Sequence, residues 1–290
     1  MILVTGANGQ FGNAVLKHLL NKGATTADLA GMVRSEEKAS SLKDLGIAAR
    51  LGDYTNYKSL VNAFKGIDQL VLVSSSEMNN RSEQHVNAIK AAKEAGVKHI
   101  YYTSFERKNE TASSPIAFVA ESHIAAEEHI MKSGMTYTIF RNNLYADMLP
   151  MFLGEKVLES GAFFPAGDGA VAFAFRDDMA EAMANVLLSE GHENKVYSIS
   201  YTERVSFAQI ADFISQASGK NVPYLKPAVE VYQGALKQAG VPEHFVAMFA
   251  GFGEAMNQGE FDTANSDLPH LLKRTPKSVK SFITEVYGKN

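Results

Sequence analysis

Three glycines spaced three apart, Gly6, Gly9 and Gly12, follow directly on the apolar run Ile2-Leu-Val4 at the start of the chain. That order of residue types suits the binding of a diphosphate. A strand that enters a tight turn and then a helix presents the helix's first N–H groups, which lack partners within the helix, together with the positive end of its dipole. Gly6 permits the turn, Gly9 lets the backbone approach the diphosphate, and Gly12 lets the helix pack closely on the strand. Asn13-Ala-Val15-Leu16-Lys-His-Leu19-Leu20 carries apolar residues at i, i+1, i+4 and i+5, so the helix that follows has one apolar face. Strand, glycine turn and amphipathic helix in this order are the context that a dinucleotide-binding fingerprint requires.

A second chemical signal lies further on. Leu29-Ala-Gly-Met-Val-Arg34 reads as the second strand, and its end lies roughly 20 residues past the glycines, where the fingerprint places its ribose-recognition residue. A carboxylate there accepts bonds from the 2′-hydroxyl of NAD. The guanidinium of Arg34 instead forks onto a 2′-phosphate, which selects NADPH over NADH. Ser35 and Lys38 are further candidates for the same phosphate.

The Gly-x-x-Gly-x-x-Gly spacing resembles that of the extended and atypical short-chain dehydrogenase/reductases. Taken together, Val4-Thr-Gly-Ala-Asn-Gly-Gln-Phe-Gly12, Gly31-Met-Val-Arg34, Leu51-Gly-Asp-Tyr54, Ser74-Ser-Ser76 and Arg141-Asn-Asn143 resemble the NmrA-like branch, and within it the bacterial quinone and triphenylmethane-dye reductases. The resemblance covers nearly the whole chain and is strongest up to about Tyr145. It implies that Asn8, Gln10 and Phe11 join the glycines in holding NADPH, that Asp53 meets the adenine amino group, and that Tyr54 covers the ring. For Asp53 the residue type equally suits capping of a helix over 57–65. The resemblance also places Asn142, Asn143 and Tyr145 beside the nicotinamide, with Asn143 holding the carboxamide or the acceptor. Arg141 suits a structural ion pair or a carbonyl contact.

Short-chain dehydrogenases that reduce ketones carry Tyr-x-x-x-Lys on the helix after the fifth strand, where the lysine lowers the tyrosine pKa and the phenol protonates the developing alkoxide. Aligning Ala125-Ala-Glu127 with that family's usual Ala-Ala-Glu puts His123 at the lysine and Val119 at the tyrosine, so the acid is missing. Tyr54 and Lys58 repeat the spacing but follow the third strand, at the adenosine end. Hydride transfer survives this loss because the nicotinamide carries the chemistry. The acceptor is then a planar, conjugated molecule such as a quinone or cationic dye, which spreads the incoming charge over its own π system. His123 is expected either to orient the nicotinamide ribose or relay a proton, or to be a satisfied core histidine. The missing phenol also suits a non-catalytic NADP(H)-binding redox sensor, the second function that the resemblance allows.

The elements that must position these groups read in alternation. The apolar run Leu70-Val-Leu-Val73 suits a central parallel strand buried on both faces, and the small hydroxyl residues Ser74, Ser75 and Ser76 end it where a dinucleotide crosses the sheet. A helix over 84–95 follows, then strands His99-Ile-Tyr-Tyr-Thr-Ser104 and Thr136-Tyr-Thr-Ile-Phe-Arg141, a helix over 148–158, a helix from Asp177 as N-cap, and a seventh strand at Lys195-Val-Tyr-Ser-Ile199. The expected fold is α/β, a Rossmann-type doubly wound parallel sheet with a smaller, mainly helical C-terminal substrate lobe. Residues 1–143 with 176–200 make the nucleotide domain, and 144–175 with 201–290 the lobe. Phe245, Met248, Phe249, Phe252 and Met256 recur at helical spacing, as lobe core or as an apolar lid over a planar acceptor.

Composition narrows the alternatives. A net charge of -4 with scattered Lys and Arg gives no electrostatic case for nucleic acid. Zero cysteines remove disulfides, thiolate metal sites and Cys nucleophiles together, and no His-Glu-x-x-His or comparable metal spacing occurs. The first strand begins at residue 2 with no charged and apolar signal segment before it, and no apolar run reaches membrane length, so a cytoplasmic protein without membrane insertion is expected.

Overall fold

The computed structural model describes residues 1–77, 79–263 and 265–288. The chain alternates strand and helix through β1 (Ile2–Val4), α1 (Gln10–Asn21), β2 (Leu29–Val33), α2 (Ser40–Asp44), β3 (Ala48–Leu51), α3 (Tyr57–Phe64) and β4 (Gln69–Leu72). It continues through α4 (Arg81–Glu94), β5 (His99–Phe105), α5 (Ala117–Lys132) and β6 (Thr136–Asn142). Two short helices, α6 (Leu149–Leu153) and α7 (Val157–Ser160), precede β7 (Ala170–Val171), α8 (Arg176–Leu187) and β8 (Lys195–Ile199). The C-terminal part holds β9 (Val205–Ser206), α9 (Phe207–Ser218), α10 (Val229–Gln238), α11 (Glu243–Asn257), α12 (Leu268–Leu272) and α13 (Val279–Tyr287).

Seven strands form one parallel sheet in the order β3-β2-β1-β4-β5-β6-β8. Successive residues of β1 feed opposite faces, as the period of two demands. Val4 packs with Val71, Tyr101 and Phe140 against α1 and α8, while Leu3 packs with Leu70, Leu72, Ile100 and Ile139 against α3, α4 and α5. The chain leaves β1 toward β2 on one side and later returns to β4 on the other. Loops at the carboxyl ends of these two neighbours therefore diverge and leave a crevice, the topological switch point of an open α/β sheet.

A polar knot ties the floor of that crevice together. Thr5 Oγ1 accepts the Val73 N–H at 2.8 Å, and the Tyr54 hydroxyl lies 2.6 Å from Thr5 Oγ1 and 2.7 Å from the Val73 carbonyl. The ends of β1, β3 and β4 are thereby fixed to one another. Burial raises the Tyr54 pKa, so the phenol keeps its proton as a donor in this knot.

The lobe has its own apolar core, in which Phe152, Phe164, Phe173, Phe207, Met256 and Phe261 are buried. The chain departs from the sequence reading at three points here. The helix expected over 148–158 is broken by Gly154, whose φ of 76° ends α6. Leu268, Leu271 and Leu272 of α12 join the core beside α1 and α8, so this segment packs with the sheet although it lies beyond 201. Asp177 does not cap α8: it sits in the first turn, paired with His18 at 2.8 Å, while Asp147 accepts the Arg176 N–H at 2.9 Å.

Behind the sheet's carboxyl edge, Glu127 of α5 holds Arg107 and Arg141 together. Its carboxylate takes Arg107 at 2.9 Å and Arg141 at 2.6 Å, and accepts the Ser104 hydroxyl. Burial pushes the Glu127 carboxyl up, but these three donors outweigh it and hold the pKa below the usual value. Arg107 and Glu127 are only 1% and 5% exposed, and without Glu127 the buried guanidinium keeps, among the described residues, only the half-exposed Glu110 as a counter-charge, 2.9 Å away. Glu127→Ala is expected to lower unfolding free energy by about 3–5 kcal/mol, measured by urea denaturation; a loss below about 1 kcal/mol would show that Arg107 finds other support.

Candidate functional site

A cleft of about 1000 Å³ opens along the carboxyl ends of β1 to β6. The N-terminal residues Gly6, Asn8, Gly9, Gln10, Phe11 and Gly12 line it, as do Arg34, Asp53, Tyr54, Ser74, Ser75 and Ser76. His123, Asn142, Asn143 and Tyr145 complete the set that the sequence nominated, whereas Ser35 and Lys38 are not among the lining residues.

The glycine turn has the geometry a diphosphate needs. Gly6 has a φ of +57°, the left-handed region that glycine tolerates. A Cβ on Gly12 would lie 2.6 Å from the Gly6 carbonyl oxygen, so no other residue lets α1 sit this close to the strand end. Gly9 is the N-cap of α1 and no side chain caps it, which leaves the first N–H groups for a ligand anion.

At the adenosine end, Arg34 is exposed on the rim and faces Glu77 at 3.4 Å. Asp53 does not cap α3, a task that Asn56 performs by accepting the Ser59 N–H at 3.1 Å. Instead Asp53 Oδ1 accepts the Thr55 N–H and hydroxyl, each at 2.8 Å, and the backbone bond from Thr55 lowers its pKa. The Ser74–Ser75 turn is held rigidly from behind: Ser74 N–H donates to Thr103 Oγ1 at 2.8 Å and Ser75 N–H to His85 Nε2 at 2.9 Å.

The nicotinamide end differs from expectation in two residues. Asn143 is spent on the protein: its Nδ2 donates to the Phe261 carbonyl and to Thr263 Oγ1, both at 3.1 Å, and its Oδ1 accepts the Leu144 N–H at 2.7 Å. It anchors the lobe to the end of β6 and has no amide proton left for a carboxamide. Its neighbour Asn142 is 3% exposed and its Nδ2 has no hydrogen-bond partner in the structure. A buried unpaired donor is costly, and the group beside this one is the Tyr145 phenol. Tyr145 lies on the same wall beneath the Arg176 guanidinium, 4.8 Å from the ring centroid, and burial raises its pKa although Asn142, Arg176 and Arg81 pull the other way.

His123 follows the second of its two expected readings, the satisfied core histidine, and not the catalytic one. Its Nε2 lies 3.0 Å from Arg81 Nη2 and its Nδ1 2.9 Å from the Tyr102 hydroxyl. Arginine has only donors to offer, so Nε2 accepts and the imidazole proton sits on Nδ1. Neither nitrogen is free to orient a ribose or relay a proton. Burial, reinforced by Arg81, His85 and Arg107, holds its pKa well below the usual histidine value.

Sequence reasoning missed Arg81, Met148 and Arg176, which also line the cleft, as do Met248 and Phe252 of the expected lid. With the helix expected to begin at Gln84, Arg81 fell in a loop; α4 starts three residues earlier and its first residue faces the crevice. Val119, at the place of the family's tyrosine, does line the cleft, and with Phe105, Met248 and Phe252 it makes an apolar wall. Among the described residues no group of three or more His, Cys, Asp or Glu is placed to hold a metal ion, and no helix is long and apolar enough to cross a membrane.

A doubly wound parallel sheet with a glycine turn at its switch point, opening onto an apolar pocket, defines a dinucleotide-binding protein of the Rossmann type. The comparisons assign it further. The NmrA-like family profile matches residues 1–283, and the chain belongs to that family. Quinone oxidoreductase 2 of Escherichia coli (strain K12) is 34% identical over 291 residues, covering 100% of both chains. Among solved structures, Citrobacter sp. triphenylmethane reductase complexed with NADP(H) superposes with a TM-score of 0.91 at 36% identity, over 98% of this chain and 99% of that one. The Escherichia coli NADPH-dependent quinone oxidoreductase complexed with NADPH gives 0.90 at 33% identity, over 99% of this chain and 100% of that one.

The buried histidines make stability depend on pH. Burial, with Arg81 close by, depresses the His85 pKa from 6.5 to about 4, so the folded state refuses a proton that the unfolded chain takes up below 6.5. The stabilisation is whole above pH 6.5 and lost as the pH falls toward 4, a change of about 3 kcal/mol for His85 alone. Urea titrations at pH 7.5 and 4.5 should show this loss, and His85→Gln should flatten it; a variant with the full wild-type pH slope would refute the assignment.

Proposed function

We propose that this protein is an NADPH-dependent oxidoreductase that passes hydride to a quinone or a similarly conjugated acceptor. One observation carries the choice of acceptor. The helix face from which related ketone reductases supply an acid is here the apolar Val119, set in a wall with Phe105, Met248 and Phe252. Such a wall suits a flat conjugated ring and offers a ketone no proton. The likeness to proteins named quinone oxidoreductase 2 and triphenylmethane reductase supports the same reading.

The chain's own residues divide the task by position. The uncapped start of α1 and the glycine turn receive the diphosphate, and the 2′-phosphate falls to Arg34, whose present partner Glu77 is an exposed carboxylate that must give way. Asp53 Oδ2, which makes no hydrogen bond among the described residues, faces the adenine side, and Asn142 Nδ2 takes the carboxamide oxygen. NADPH, when bound, supplies the hydride. The apolar wall and the lobe above it keep water from the reacting atoms, and the Ser74–Ser75 turn, braced by Thr103 and His85, fixes the depth at which the nicotinamide ribose rests.

Fluorescence titration tests the cofactor assignment. Arg34→Ala should weaken NADPH by about tenfold or more, the worth of a charge-assisted bond, and leave NADH binding unchanged; equal affinities for both cofactors in both proteins would defeat it. Steady-state assays test the reaction. NADPH oxidation should depend on added quinone, whereas tight NADPH binding without turnover on any conjugated acceptor would make the protein a sensor.

A further inference from the structure

Arg81 is a cation of the cleft wall that no carboxylate among the described residues neutralises. Its guanidinium is largely buried at the start of α4, among His123, Tyr102 and Tyr145. No carboxylate among the described residues forms an ion pair with it. Its one hydrogen bond goes to the neutral His123 ring, and its buried Nε has no partner. By contrast, Arg107 and Arg141 share Glu127, and Arg274 has Asp178 and Glu181. A buried cation without a counter-charge costs several kcal/mol, and burial accordingly lowers the Arg81 pKa. The fold nevertheless holds it there, through a chain running from Arg81 to His123 Nε2 and from His123 Nδ1 to Tyr102.

The location says what the charge is for. His123, Tyr102 and Tyr145 belong to α5, β5 and the end of β6, the half of the cleft remote from β2 and β3, where the adenosine end lies. Phe105 stacks on His123 with ring centroids 5.8 Å apart and joins Val119 and Phe252 in the apolar wall. The unpaired cation therefore borders the acceptor pocket. We propose that Arg81 is the electrophilic catalytic residue of this site, holding the acceptor oxygen that becomes negative on reduction, with His123 as its positioning residue. The inference rests on the quinone-reductase reading above.

The charge balance explains the need. A neutral quinone that accepts hydride, two electrons and one proton, from NADPH becomes the hydroquinone monoanion beside NADP⁺, and one proton from water then completes the hydroquinone. A fixed donor aimed at the developing oxyanion in a dry site stabilises that step without supplying a proton. A cationic dye gains no negative charge on accepting hydride, so Arg81 does nothing for it. Arg81 thus also sets specificity, toward neutral acceptors that become anions on accepting hydride.

Two measurements on the full chain test this. With the protein saturated in NADP⁺, ionised 2-hydroxy-1,4-naphthoquinone serves as a probe that is already anionic. Arg81→Met should weaken its binding at least about tenfold and Arg81→Lys by no more than about threefold, with the Kd for NADPH unchanged in both. In turnover, Arg81→Met should lower kcat for neutral 1,4-naphthoquinone about 100-fold and leave kcat/KM for a cationic triphenylmethane dye unchanged or higher. Parallel losses on quinone and dye, or weakened NADPH binding with the anionic probe unaffected, overturn the proposal. A wild type that binds NADPH but reduces no quinone defeats the functional reading and this inference with it. An active wild type matched by Arg81→Met defeats this inference alone.

Discussion

The whole site depends on how closely α1 approaches the end of β1. Gly12 stands so near the Gly6 carbonyl that a methyl group in its place would be 2.6 Å from the oxygen. That contact sets the helix start directly over the sheet edge, and the uncapped first turn becomes part of the crevice wall instead of facing solvent. Any residue larger than glycine would push α1 outward and open the turn. The polar knot of Thr5, Tyr54 and Val73 serves the same constraint from below, by fixing the three strand ends against which the turn is built.

From that fixed edge the cleft grades from polar to apolar. At one end lie a surface arginine, an Asx-type turn at Asp53 and backbone amides; at the other are Val119, Phe105, Met248 and Phe252. Buried polar chains brace the boundary between the two. His85 supports the Ser74–Ser75 turn and His123 supports Arg81, and the hydroxyl of Tyr102 lies within 3.2 Å of one imidazole and 2.9 Å of the other. Such networks are stabilising only when fully satisfied. Among the buried side-chain atoms left without a partner, Arg81 Nε and Asn142 Nδ2 belong to residues that line the cleft.

Much of the fold was legible because its signals are local. The glycine spacing, the continuous apolar run of β4 and the alternation of strand and helix each depend on near neighbours in the chain, and all seven strands of the sheet lie where the pattern placed them. The roles of His123 and Asn143 were not. A histidine and an asparagine at the right places in a motif suggest chemistry, but whether their nitrogens are free depends on Arg81 and Phe261, which lie 42 and 118 residues away. Neither pairing leaves a trace in local spacing.

The amino-acid sequence by itself determined the parallel sheet, the glycine turn that opens its first helix, and the place of Arg34 at the end of the second strand, since each follows from residue type and short-range order. Only the tertiary structure decided which polar groups remain available. It spent Asn143 on holding the lobe, left Asn142 with an unpaired donor, locked His123 into a buried chain, and brought Arg81 into the cleft wall beside it. The physical reason is that a hydrogen-bonding group is free or occupied according to what packs against it, and in a doubly wound fold those partners come from distant strands and helices.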